Sequence, residues 1–319
     1  MTNDETRYRE ALARIAELAA GTIAAGTTSA NGKNGKRAGQ ADPGDDLGCT
    51  VLAVPERLTD KAAETATKVN PTNAPMHQAP GAASPPTPQN LVMMTSRYWG
   101  PAARVFSVSF MEPTDADLRA RIVGHMNAWS TAIGSSFVET AGVGNVRISR
   151  GPGGNKSYLG TDILLIPADR PTMNLGGFTM ATADSEFYRV VRHETGHTLG
   201  FPHEHLRREV VGRIDPVKAY VYFLATQQWL PAMVDAQVLT PLDNLSIFGT
   251  PPDEDSIMCY QLPGSITRDG LPIRGGADIS QTDYGFAAQV YPKLSFASQA
   301  LGVLDRFDWA EAEDVLVPA

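Results

Sequence analysis

Residues 193–203 read His193-Glu194-Thr195-Gly196-His197-Thr198-Leu199-Gly200-Phe201-Pro202-His203, and the rest of the chain is best understood from this run. It ends a helix-favouring stretch, SEFYRVVRHETGHTLG (185–200), which Asp184 or Ser185 is placed to cap. On a helix, positions i and i+4 stand one above the other, so His193 and His197 present both imidazoles to one point. Gly200 falls just past the last helical residue, where a left-handed backbone is needed, and turns the chain so that His203 approaches from another direction. Three neutral imidazoles with one open position suit a catalytic zinc, whereas a structural zinc is closed by four protein ligands. Glu194, one residue round from His193, falls beside the open position and is a natural general base. His205 stands at the wrong offset from Gly200 to be the third ligand, and reads as a supporting or surface residue.

The flanking sequence supplies a scaffold. VFSVSF (105–110) alternates Phe106, Val108 and Phe110 against smaller residues, as a half-buried strand does. Thr114 and Asp117 have capping-box spacing, and the helix they open places Leu118, Ile122, Met126, Trp129 and Ile133 on one stripe. His125 lies beside that stripe and has no metal role. NVRIS (145–149) and DILLIP (162–167) read as strands, and the Gly-broken MNLGGFTMA (173–181) as an edge strand. After the histidine run, the spacing predicts helices over 216–229 and 280–291, with a turn-rich stretch at 243–260 between them. Strands followed by helices make the fold class α+β.

Bulk properties narrow the function classes. The 319 residues, 42% hydrophobic, are enough for one substantial core or for two lobes sharing a cleft. A net charge of −8 and a pI near 5.3 argue against nucleic acid or an anionic membrane as the main partner. No stretch approaches the roughly 18 uninterrupted apolar residues of a membrane span. The N-terminus, MTNDETRYREALARIAELAAGTI, is acidic where a signal peptide is basic and lacks an unbroken apolar core. Cytoplasmic residence is therefore the default expectation, with non-classical secretion as the alternative. Only two cysteines, Cys49 and Cys259, are present, so no disulfide framework is expected. Oligomeric state is not encoded in any pattern.

The His-Glu-x-x-His-x-x-Gly-x-x-His run resembles the metzincin clan of zinc peptidases. SIMCY (256–260) looks like that clan's methionine turn, which puts Met258 beneath the three histidines. Glu204 directly after the third histidine, Arg207, and Tyr260 two after the methionine resemble the astacin family, in a divergent, bacterial-type form. Cys259 stands where astacins commonly have histidine, and the basic and acidic run continues only as Arg208-Glu209-Val210. The resemblance covers about 91–292. It implies a two-lobed catalytic domain: a mixed twisted sheet with a backing helix and an active-site helix, over an irregular lower lobe holding the methionine turn and a C-terminal helix. It also implies one catalytic Zn2+ on His193, His197 and His203, with Glu194 as base and Tyr260 as donor to the oxyanion. The substrate would be an extended polypeptide, and Glu204 would orient a ligand or anchor a chain terminus. Arg268 and Arg274 follow the methionine turn and would help shape the pocket beyond the cut.

Residues 1–90 are set apart as an N-terminal unit. An amphipathic helix over 5–24, a polar stretch over 25–46, an apolar island LGCTVLAVPERL (47–58) and a proline-rich stretch over 69–90 precede the catalytic domain. That order suits a pro-segment folded over the cleft, with Cys49, or else Asp45 or Asp46, reaching the open zinc position, and it equally suits a plain linker. The tail, 293–319, receives no function. Two other readings compete with a peptidase. A zinc-binding pseudoenzyme or interaction protein would not need Glu194, and a zinc amidase acting on non-peptide bonds sits poorly with the methionine turn.

Overall fold

The computed structural model describes residues 49–73, 93–242, 247–248 and 252–293. The expected helix at 5–24, the polar stretch at 25–46, Asp45, Asp46, most of the proline-rich stretch and nearly all of the tail lie outside these described residues. Among the described residues, no helix is long and apolar enough to cross a membrane.

A six-stranded mixed sheet forms the larger lobe. Its strands are β1 (Cys49–Leu52), β3 (Val105–Phe110), β4 (Ser136–Glu139), β5 (Val146–Ser149), β6 (Asn155–Tyr158) and β7 (Met173–Asn174), in spatial order β1-β6-β7-β5-β3-β4. A separate two-stranded ladder pairs β2 (Met93–Met94) with β8 (Ile247–Phe248). Strands β4, β3, β5 and β7 run parallel, β6 runs antiparallel to β7, and β1 runs parallel to β6 with Cys49 opposite Asn155. The alternation in β3 is real, with Phe106 and Val108 buried.

Helix α2 (Ala116–Met126) backs the sheet with Leu118, Ile122 and Met126, and Trp129 and Ile133 extend that stripe beyond the helix end. Its capping box does not form. Asp115 is the N-cap without a side-chain bond, and the Thr114 hydroxyl donates to the Glu112 carbonyl instead (2.9 Å). Helix α1 (Thr59–Val69) precedes it in the chain and buries Ala62 and Ala66.

Two strand readings need correction. DILLIP lies largely in a 3-10 helix, Gly160–Leu165. A continuous apolar run has no period to separate strand from helix, and the Asp162 carboxylate is drawn inward to Arg97 (2.7 Å). In MNLGGFTMA only Met173–Asn174 is a strand, and it lies inside the sheet between β5 and β6. The edge positions belong instead to β4 and to β1, the segment from the apolar island.

The smaller lobe gathers around α4 (Pro216–Gln227), which begins as its sequence dictates: Asp215 accepts from the Val217 and Lys218 amides and Pro216 fills the first turn. Its core joins Val210, Ile214, Ala219, Phe223, Leu262, Ile266 and Ile273 with Cys49, Cys259 and Tyr260. Helix α5 (Gln281–Val290) returns to the sheet lobe and buries Phe286, Ala287 and Val290 there. The α+β class holds, with a mixed sheet and helices on its flanks.

Candidate metal centre

Helix α3 carries the first two histidines and is composite. It opens with Asp184–Glu186, passes through a π-turn over Phe187–Val191 and ends as regular α-helix over Arg192–Leu199. The expected cap at Asp184 or Ser185 is absent. Ala183 is the N-cap, and Asp184 pairs with Arg121 instead. Gly200 ends the helix at φ 100°, as predicted, with its amide bonded to the His197 carbonyl and the Phe201 amide to that of Gly196. Two carbonyls left over at this helix end are met by side chains from elsewhere: the Trp99 indole donates to Thr198 (2.8 Å) and the Tyr291 hydroxyl to Leu199.

The turn after Gly200 brings His203 back toward the helix, with its Nε2 3.1 Å from Nε2 of His197. Nδ1 of His197 donates to the Phe201 carbonyl (2.7 Å), and Nδ1 of His193 to that of Ile257 (2.6 Å). A carbonyl can only accept, so both rings carry their proton on Nδ1 and turn a bare Nε2 inward. Burial holds His193 down to about 4 and depresses His197 and His203 well below the usual histidine range. All three rings are therefore neutral at pH 7. Nε2 of His193 is buried with no hydrogen-bond partner among the described residues.

A fourth donor joins them. The Cys49 thiol, at the start of β1, lies with the three histidines in a group whose ligand atoms are all within 4.8 Å of one another. Three neutral imidazoles, two of them (His193 and His197) with their outer nitrogen fixed by a carbonyl, and one thiol suit zinc. Without a cation, several buried ring nitrogens would face one another unsatisfied.

Glu194, fully buried, lines the cavity beside this group together with His193, Cys49 and Tyr260. The cavity is about 220 Å³, and Arg189, Glu186 and Arg274 also border it. Arg189 pairs with Glu186 (2.6 Å) and Arg274 with Asp255 (2.9 Å). Arg268, expected to shape the same pocket, does not line it; its amide bonds to the Arg213 carbonyl. Arg189, from the π-turn, was not anticipated.

The ring of Tyr260 lies 4.2 Å from that of His203 and stacks on His205 (4.1 Å, 19°). His205 is not a surface residue. It is fully buried, donates from Nε2 to the Gln237 carbonyl (2.8 Å) and accepts the Tyr260 amide on Nδ1 (3.4 Å). Burial pushes it down to about 3, so it stays neutral in this role.

Met258 sits where the turn meets α3. A Cβ on Gly196 would strike its sulfur, so the bare glycine lets the Met258 side chain lie against the helix as it does. The turn is pinned from behind by Asp283, in the first turn of α5. Its carboxylate accepts the Ser256 hydroxyl (2.7 Å) and the amides of Ile257 and Ser280 (both 2.9 Å), completing a capping box with Ser280. Ser280-x-x-Asp283 has the spacing of such a box, and that was the signal from which this residue could have been found. Glu204, also fully buried, donates its amide to the Met258 carbonyl (2.8 Å). Burial pushes its carboxyl up to about 8, with Arg207 opposing.

No protein-family model matches the chain. No curated protein matches it either. Among solved structures, a structure of myroilysin is 29% identical, covers 64% of this chain and 100% of its own, and superposes with a TM-score of 0.60. A second, the crystal structure of myroilysin, is 28% identical over 77% of this chain and 100% of its own, with a TM-score of 0.47. High choriolytic enzyme 1, a hatching enzyme zinc-protease from the medaka fish Oryzias latipes, is 20% identical over 61% of this chain and 94% of its own, at a TM-score of 0.39. The first of these carries the likeness in fold. Together with the histidine run and the methionine turn, it makes this chain similar to the astacin-like metzincins, in a divergent form with a metalloprotease-like fold.

Proposed function

We propose that the chain is a zinc-dependent endopeptidase that cuts extended polypeptides and that residues 1–90 are a pro-segment holding it latent through Cys49. The observation carrying the reading is the convergence of His193, His197 and His203 on one point, with Glu194 buried in the adjoining cavity. Bound there, zinc supplies a Lewis acid that acidifies water and polarises a carbonyl. Glu194 takes the proton from the attacking water and returns it to the leaving amine. Tyr260, beside His203, donates its phenol to the oxyanion. With the Cys49–Leu52 strand displaced, the outer edge of β6 takes a peptide by strand addition, which demands backbone more than side chains.

Cys49 also favours a second reading. Three histidines and a cysteine make a closed four-ligand set, as in a structural zinc. In that case the protein binds zinc without catalysis, and Glu194 and Tyr260 are only packing.

Digestion of casein by the zinc-loaded Cys49→Ala protein, with and without a chelator, separates the two. Cys49→Ala should cleave without a lag, and the unprocessed wild type slowly or after a lag. Glu194→Ala in the same background should keep its zinc and fold yet lose about 10²- to 10⁴-fold in rate. A zinc-replete Cys49→Ala protein that leaves casein and gelatin intact would establish the structural reading. Retention by Glu194→Ala of more than roughly a tenth of the turnover would remove Glu194 as the base.

A further inference from the structure

We infer that Gln237 is a backbone clamp on the smaller lobe, a positioning residue for any extended chain that lies in the cleft. It holds the Cys49–Leu52 segment first and substrate afterwards. The second half of this inference rests on the peptidase reading; the first does not.

On one side β1 is held by β6, with Val51 opposite Ser157. On the other side a single side chain does the work of a neighbouring strand. The Val51 amide donates to Oε1 of Gln237 (3.3 Å), and Nε2 of Gln237 donates back to the Val51 carbonyl (3.4 Å). Both contacts are to main chain, so they impose no choice of residue. A carboxamide also presents donor and acceptor in either order after a half-turn of its terminal torsion. Gln237 can therefore read a chain running in either direction, which a fixed strand edge cannot do.

Its own backbone is held in place. Gln237 lies in the turn Asp235–Leu239, between Val234 and Val238, both of which are buried in the smaller core. Its carbonyl accepts His205, the ring on which Tyr260 stacks. One residue thus touches the chain in the cleft with its side chain and the support of Tyr260 with its main chain. At 3.3 and 3.4 Å the two side-chain bonds are long, beyond the usual N–H···O range. They set register more than they add affinity, and a modest effect is expected.

Two measurements test this. Hydrogen exchange of the zinc-loaded full chain should show residues 49–52 exchanging roughly three- to tenfold faster in Gln237→Ala than in wild type, with β3 and β5 unchanged. Gln237→Glu keeps the shape and the acceptor but loses the donor, and should fall between them. In the Cys49→Ala background, Gln237→Ala should raise KM for an extended peptide by a similar factor and leave kcat within about twofold. A set of that peptide's variants, each methylated on one backbone nitrogen, gives the sharper result. With Gln237 present, methylation at one position that does not face β6 should be penalised. Gln237→Ala should abolish that penalty alone. Unchanged exchange at 49–52, or an identical methylation profile with and without Gln237, overturns the clamp. If no peptide is cleaved at all, the peptidase reading falls instead, and the exchange measurement still decides the clamp.

Discussion

In the larger lobe, Trp129, Phe106, Ile122 and Phe187 meet in one apolar cluster fed by the sheet, α2 and α3. In the smaller lobe, Phe223, Ile214 and Leu262 are brought together by one helix and several tight turns. The boundary between the two clusters falls inside the methionine turn, with Met258 in the first and Cys259 and Tyr260 in the second. Their polar anchors differ as well. The larger lobe is tied by strand ladders, whereas the smaller one is tied by single bonds, such as His205 to Gln237 and Glu204 to Met258. Periodic apolar surface holds the first lobe, and the second leans on the first across the methionine turn.

Metal removal should separate the lobes most strongly. His197→Ala should lose zinc and, with it, a stabilisation of about 4 kcal/mol at a free zinc concentration a thousand times Kd. Hydrogen exchange should then rise across 204–274 while β3 and β5 stay protected; equal loosening of both lobes would end the comparison. Next in size is Trp129→Ala, which removes a fully buried ring and its bond to the Arg192 carbonyl (2.8 Å). It should cost about 3–5 kcal/mol by denaturant titration, with or without zinc. Asp283→Ala leaves the Ser256 and Ile257 donors unmet behind the turn and should cost about 2–3 kcal/mol, with weaker zinc affinity as its signature. Normal zinc affinity there would mean that the turn holds its shape unaided. Tyr260→Phe should change stability least, by under about 1 kcal/mol, yet lower kcat roughly ten- to a thousandfold at constant KM. An unchanged kcat would leave Tyr260 as packing against His205.

Much of this was readable in the chain because the signals are local. His193 and His197 share a helix turn, Gly200 marks its end, and Phe106 and Val108 alternate within one strand. What escaped depends on distant partners. Cys49–Leu52 became a strand because β6, about a hundred residues later, offers it an edge, and nothing in the apolar island at 47–58 states that. DILLIP has no period, and its Asp162 pairs with Arg97, a partner 65 positions earlier. For His205 the spacing leaves a supporting and a surface role open, and only its distant partners Tyr260 and Gln237 decide for the supporting one. Asp283 carries a local signal, its capping-box spacing from Ser280, but its bonds to Ser256 and Ile257 are distant and leave none.

The Asp283 anchor also bears on when the site becomes complete during synthesis. His193 takes its orientation from the Ile257 carbonyl, and the Ile257 amide is held by Asp283. A ribosome delivers residue 283 some ninety positions after His193, or roughly 5–20 seconds later at bacterial-like rates of synthesis. Throughout that interval the helix can exist while its first histidine has no fixed partner behind it. Cys49 has by then been outside for far longer, so the thiol is on hand before the three imidazoles are aligned. A nascent chain in this order passes through no stage with an assembled site and no thiol nearby.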